Sequence, residues 1–122
     1  MKLVFHHRPE VPIEAEVITP EKLAGLSEAE VSALPLQYGN ERVPLGEFFR
    51  VNGRYEGEIQ VEGDLSRVKM IGSGMRAGRI VLDGDAGMHL GVGMSGGEIV
   101  VKGNAGDWVA PDLSGGRITI HG

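Results

Sequence analysis

A seven-residue pattern that returns at a fixed interval constrains this chain more than any other feature. Gly78-Arg79-Ile80-Val81-Leu82-Asp83-Gly84 is followed 19 residues later by Gly97-Glu98-Ile99-Val100-Val101-Lys102-Gly103. Another 19 residues on stands Gly116-Arg117-Ile118-Thr119-Ile120-His121-Gly122, and 21 residues before Gly78 begins Gly57-Glu58-Ile59-Gln60-Val61-Glu62-Gly63. A period near 20 residues marks a repeat architecture, because one such unit cannot bury its apolar face alone and must stack on its neighbours.

Within each unit the apolar residues alternate, which predicts a strand with one buried face. Stacked in parallel at roughly 4.8 Å, equivalent residues become direct neighbours. Ile59, Ile80, Ile99 and Ile118 then form one inward column, and Val61, Leu82, Val101 and Ile120 the next. The outward column reads Glu58, Arg79, Glu98, Arg117 and changes sign at every step. Neighbouring opposite charges attract weakly and like charges repel, so the alternation supports this register. The return segments also match: Ile71-Gly72-Ser73-Gly74-Met75 with Leu90-Gly91-Val92-Gly93-Met94, and Asp85-Ala86-Gly87 with Asn104-Ala105-Gly106. The third copy departs, reading Val109-Ala110-Pro111-Asp112-Leu113, and the first carries two extra residues within Arg67–Ile71, which predict a bulge or longer corner. The expected fold is mostly β: a right-handed parallel β-helix over residues 54–122, with Gly57, Gly72, Gly74, Gly78, Gly91, Gly93, Gly97 and Gly116 as its structural glycines.

Residues 1–53 carry no repeat and predict a small α+β cap. Lys2–His6 and Ile13–Ile18 read as short strands. Thr19-Pro20-Glu21 reads as a helix start with Pro20 in the first position, and Ser27-Glu28-Ala29-Glu30 as a capping box. Gly25 stops the first helix, and the second ends before Pro35. Tyr38-Gly39-Asn40-Glu41 reads as a turn. Phe48 or Phe49 is expected to plug the near end of the stack, since terminal repeats need a cap. The other end has no such cover: an uncovered edge above Ile118 and Ile120 invites pairing. Either the polypeptide is shortened relative to its relatives or a partner covers that end. Trp108, Ile118 and Ile120 are therefore the interface candidates.

Composition narrows the function. Twenty glycines among 122 residues far exceed the usual ~7%, and most lie in the repeats. With no cysteine, disulfides, thiolate metal sites and cysteine nucleophiles are excluded. A net charge of −5 argues against nucleic acid, which needs a basic surface. No apolar run is long enough for a membrane helix and the start lacks a signal-peptide core, so the expected location is cytoplasmic. The Gly-x-Gly pairs lack the strand–turn–helix context of a dinucleotide site. His6 and His7 point to opposite faces of a strand, while His89 and His121 read as surface histidines. Asp83, Asp85 and Asp107 lack the nonapeptide period of calcium-binding solenoids. The residues predict no catalytic, cofactor or metal site.

The repeats, of the form Gly-x-Ile-x-Val-x-Gly-Asn-Ala-Gly and then Gly-x-Gly-Met-x-Gly-Gly, resemble the Gly-x-Gly repeat domain of the glutamate synthase large subunit and of the formylmethanofuran dehydrogenase C subunit. Pro12-Ile13-Glu14-Ala15, Leu23-Ala24-Gly25-Leu26-Ser27, Gly39-Asn40-Glu41 and Leu45-Gly46-Glu47-Phe48-Phe49-Arg50-Val51-Asn52-Gly53 look like that C subunit, and like its counterpart in the bacterial formyltransferase/hydrolase complex. The resemblance implies a non-catalytic subunit in tetrahydromethanopterin-linked one-carbon metabolism. Its implied partners carry the chemistry on other chains: an amidohydrolase-like subunit with either a formyltransferase or a tungsten- or molybdenum-pterin subunit. It implies no cofactor on this chain. The alternatives are a stand-alone interaction module that forms homo-oligomers through its far end, and a glutamate-synthase-like relay domain. The first would show as self-association in solution mass; the N-terminal motifs argue against the second.

Overall fold

The fold, taken from a computed structural model, is described for residues 1–6, 9–105 and 115–121. In chain order its elements are β1 (Lys2–Phe5), β2 (Ile13–Glu14), α1 (Pro20–Leu23), α2 (Glu28–Ser32), β3 (Pro35–Tyr38), β4 (Glu41–Pro44), a 3-10 turn (Leu45–Glu47), β5 (Phe49–Asn52), β6 (Glu58–Glu62), β7 (Val68–Lys69), β8 (Arg79–Asp83), β9 (Glu98–Val101) and β10 (Arg117–Ile120). The strands form a six-stranded sheet, β10-β9-β8-β6-β1-β5, and a four-stranded sheet, β4-β3-β2-β7.

This is a mostly β fold with two short helices and two mixed sheets, and it corrects the expected right-handed parallel β-helix. The periodic pattern reports only on the strands that carry it. At the other side of the large sheet, β1 enters parallel to β6 and β5 then turns back antiparallel to β1. The small sheet comes mainly from the non-repeating N-terminal segment, with antiparallel β2–β3 and β3–β4 pairs and only Val68–Lys69 from a repeat. The matching segments at residues 71–74 and 90–93 are turns, not strands. Turn hydrogen bonds there run from Met75 N to Gly72 O and from Met94 N to Gly91 O.

The repeat strands pair in parallel, with Glu58, Ile59 and Val61 opposite Arg79, Ile80 and Leu82. The same register continues from β8 to β9 and from β9 to β10. Ile59, Ile80, Ile99, Val61, Leu82 and Val101 are fully buried. Ile118 and Ile120 continue the inward columns opposite Ile99 and Val101, but Ile120 is 43% exposed and Ile118 half-buried, because no strand lies beyond β10 among the described residues.

Residues 2–21 run alongside the first repeat although they share no pattern with it. After β1 pairs with β6, β2 pairs with β7, and Ile18 O accepts a hydrogen bond from Gly72 N at 3.0 Å. The two extra residues near Arg67–Ile71 thus accompany a short strand, β7, that joins the small sheet. Thr19 caps α1 by accepting from Lys22 N, with Pro20 in the first turn. Ser27 and Glu30 form the reciprocal capping box of α2. These caps satisfy backbone donors that such short helices leave unpaired. Leu23 and Val31 anchor the two helices in a core continuous with the repeat columns. Phe48 and Phe49 are both buried. Phe49 sits opposite Phe5 in the β1–β5 register, with ring centroids 5.1 Å apart, and Phe48 lies between Phe5 and Tyr38.

Candidate functional site

The charged column on the outer face of β6, β8, β9 and β10 is the most regular arrangement of functional groups in the molecule. Parallel pairing sets Arg79 between Glu58 and Glu98, and its guanidinium contacts both carboxylates, at 3.4 and 3.3 Å. Arg117 occupies the equivalent place on β10 opposite Glu98, yet it makes no ion pair among the described residues. A shallow hollow lined by Gly97, Glu98, Gly116 and Arg117 lies at this point. These pairs are half-exposed, so each contributes little stability; their chemical content is the order of charge along the edge.

All eight glycines singled out by the repeat have positive φ: Gly57 98°, Gly72 77°, Gly74 72°, Gly78 86°, Gly91 69°, Gly93 72°, Gly97 82° and Gly116 79°. Within each Gly-x-Gly pair the two members differ. A Cβ on Gly72 would meet Ile99 Cδ1 at 2.5 Å, and one on Gly91 would meet Ile118 Cδ1 at 2.7 Å, whereas Gly74 opens on free space. The first glycine therefore makes room for an isoleucine from a later strand, and the second only needs the left-handed backbone. At Gly72 and Gly91 these turns line the core.

The N-terminal segment locks onto this stack through groups the repeat pattern does not reveal. Glu21 Oε2 accepts from both Arg76 N and Ala77 N at 3.0 Å. Pro20 and the Tyr55 hydroxyl crowd the Cα of Gly78, where Met75 and Met94 crowd Gly97 and Gly116. Burial, and then the charge of Glu21, push the Tyr55 phenol above its usual range, partly offset by a backbone hydrogen bond to Arg79. The signal for these contacts was an acid just after a helix-starting proline, which spacing alone could not tie to a turn 55 residues away.

A second feature is an open polar cleft of about 560 Å³ lined by Phe5, His6, Pro9, Glu10, Asp64, Ser66 and Arg67. Arg67 donates to Glu10 O at 3.0 Å and Asp64 accepts from Ser66 N. Among the described residues no three His, Asp or Glu side chains are placed to share a metal ion. His89 lies in a turn with φ 58°, and His121 is exposed beyond β10. No helix among the described residues is long and apolar enough to cross a membrane. Trp108, His7, Asp107, the Val109–Leu113 corner and Gly122 lie outside the described residues.

No family model matches the chain. Among known proteins, it is 44% identical over 83 residues to the C subunit of the molybdenum-containing formylmethanofuran dehydrogenase 1 of Methanothermobacter marburgensis, a match covering 66% of this chain and 21% of that protein. It is 43% identical over 86 residues to the corresponding subunit of Methanosarcina barkeri, covering 66% and 29%. It is also 42% identical over 88 residues to the C subunit of the tungsten-containing formylmethanofuran dehydrogenase 2 of M. marburgensis, covering 68% and 33%. The matched stretch therefore spans a fifth to a third of these relatives. Among solved structures, a chain of the formyltransferase/hydrolase complex from Methylorubrum extorquens, crystallised with methylofuran, superposes with a TM-score of 0.91 at 31% identity. That superposition covers 98% of this chain and 45% of the other.

Proposed function

We propose that this chain, which belongs to the C-subunit family of formylmethanofuran dehydrogenases and formyltransferase/hydrolase complexes, is a structural subunit of such a complex. Its role is to hold other chains that handle a formyl group on methanofuran or a related carrier. The observation that carries this reading is the superposition on a formyltransferase/hydrolase chain over nearly the full length, N-terminal segment included. The reading assigns no catalytic group to the chain and no cofactor. Molybdenum and tungsten are named for the relatives, and any such centre would sit on a different subunit. The proposed location is the cytoplasm.

The test is affinity capture of the tagged chain from its native cells, with bound proteins identified by mass spectrometry. Co-purification of amidohydrolase-like and formyltransferase or pterin-binding chains is expected. Recovery of the chain without them would overturn the subunit reading.

A further inference from the structure

The chain has three asparagines, in Asn40-Glu41, Asn52-Gly53 and Asn104-Ala105, and only Asn52 precedes a glycine. The side-chain amide of an asparagine is open to attack by the backbone nitrogen of the next residue. Glycine, with no Cβ and the widest backbone freedom, obstructs that attack least. Asn52 ends β5 opposite Lys2, and Asn52 and Gly53 are both exposed. Gly53 lies just beyond the strand with φ 79°. Its N–H donates to Glu28 Oε2 at 2.5 Å, across 25 residues of chain. Glu28 is the first residue of α2, whose start is fixed by the Ser27–Glu30 capping box.

We propose that Asn52 is a site of covalent self-modification to aspartate and isoaspartate, and that the Glu28 carboxylate holds this site shut. In the first step Gly53 N loses its proton and bonds to Asn52 Cγ. The Cγ–Nδ2 bond breaks, and ammonia leaves carrying that proton. Water then opens the cyclic imide at one carbonyl or the other, giving aspartate or isoaspartate. One water is consumed and one ammonia released, with no change of oxidation state. Glu28 opposes the first step. Ring closure needs the nitrogen stripped of its proton and turned onto Cγ, whereas a charge-assisted hydrogen bond keeps the N–H on the carboxylate. Either product sets a new carboxylate opposite Lys2. Isoaspartate also lengthens the backbone by a methylene, which moves Gly53 N off Glu28 and cuts this tie between α2 and β5.

The test incubates the full chain in mildly alkaline buffer and follows each asparagine by peptide mapping and mass spectrometry. Isoaspartate is scored by labelling with an isoaspartyl methyltransferase. A free peptide of residues 50–56 sets the unrestrained rate. The peptide should convert fastest and the wild type slowest. E28A should convert about tenfold faster than the wild type, the factor that one charge-assisted hydrogen bond represents. E28Q, whose amide oxygen still accepts, should stay near the wild type. Asn40 and Asn104 should remain intact over the same period. An E28A rate equal to or below that of the wild type, or a wild type as fast as the peptide, would refute the clamp. Conversion of Asn40 or Asn104 at the rate of Asn52 would refute the site. Hydrogen exchange on the wild type decides the clamp even if E28A does not fold: the Gly53 amide should exchange more slowly than in the peptide, and equal rates would overturn it. This chemistry is internal to the chain, so its failure would leave the assignment to a formyl-handling complex standing.

Discussion

The two halves of the molecule reach a buried core by opposite routes. In the repeats, small variation is stacked: aliphatic side chains fall on their equivalents one strand away, and glycines let neighbouring layers approach closely. A Cβ on Gly84 would clash with Gly63 O, and one on Gly115 with Ser95 O. In the first 53 residues nothing repeats, and order comes from individual devices: two caps, a hairpin turning at Gly39, and four aromatic rings in stacked or tilted contact. The comparison teaches that periodicity specifies pairing within the stack, while its boundary is specified residue by residue. Breaking one half should therefore look different from breaking the other.

The largest effect should come from Phe49→Ala in the aperiodic half. Phe49 is 1% exposed, packs on Phe5 and sits in the β1–β5 pair. Its loss should cost about 3–5 kcal/mol in denaturant unfolding. Hydrogen exchange sharpens the contrast: amides of β1 and β5 should lose protection first, with β8 and β9 retaining theirs longer. Simultaneous loss across all strands would mean the two halves form one cooperative unit.

Next comes a matched pair in the stack. Gly72→Ala adds left-handed strain and a clash with Ile99, together about 2–4 kcal/mol. Gly74→Ala adds the strain alone, about 1–2 kcal/mol, because open space surrounds it. Equal losses in the two melts would show that Ile99 gives way without cost and that the first glycine has no packing role.

This difference also marks what was legible in the sequence. The register of β6, β8, β9 and β10, the sign of every charge in the ladder, and both helix caps could be read directly, because each depends on residues at a fixed short or periodic spacing. The sheet architecture could not. Lys2–Phe5 has too few residues to show which of several strands it joins, and its partners β5 and β6 lie about 50 residues on. The Gly-x-Gly segments were recognisable as turns, but repetition alone could not tell the core-facing Gly72 from the open Gly74. Ile120 falls in the column that alternation assigns it, opposite Val101, yet is 43% exposed, because alternation sets the face of a strand and burial also requires a neighbour on it.

The ladder itself predicts a smaller change. Arg79→Ala removes two half-exposed ion pairs, so unfolding at low salt should lose about 0.4–2 kcal/mol. The loss should shrink at 1 M salt, where exposed charges are screened within about 3 Å. A loss that persists undiminished would assign the role of Arg79 to its aliphatic stem rather than to its charge.

The smallest effect tests the seam between the halves and appears only in alkali. Burial and Glu21 raise the Tyr55 phenol above its ordinary value of 10.0, so the folded chain holds this proton more tightly than the unfolded chain. The stability linked to it is fully present below pH 10 and is lost as pH rises past 10 toward the folded-state value, because the unfolded form deprotonates first. Tyr55→Phe removes that titration while leaving Tyr38, the other tyrosine, in place. The melting temperature of the wild type should therefore fall more steeply above pH 10 than that of the variant. Parallel curves would mean that Tyr55 meets the same surroundings in both states, and that Pro20 and the Glu21 carboxylate alone hold the N-terminal segment against Gly78.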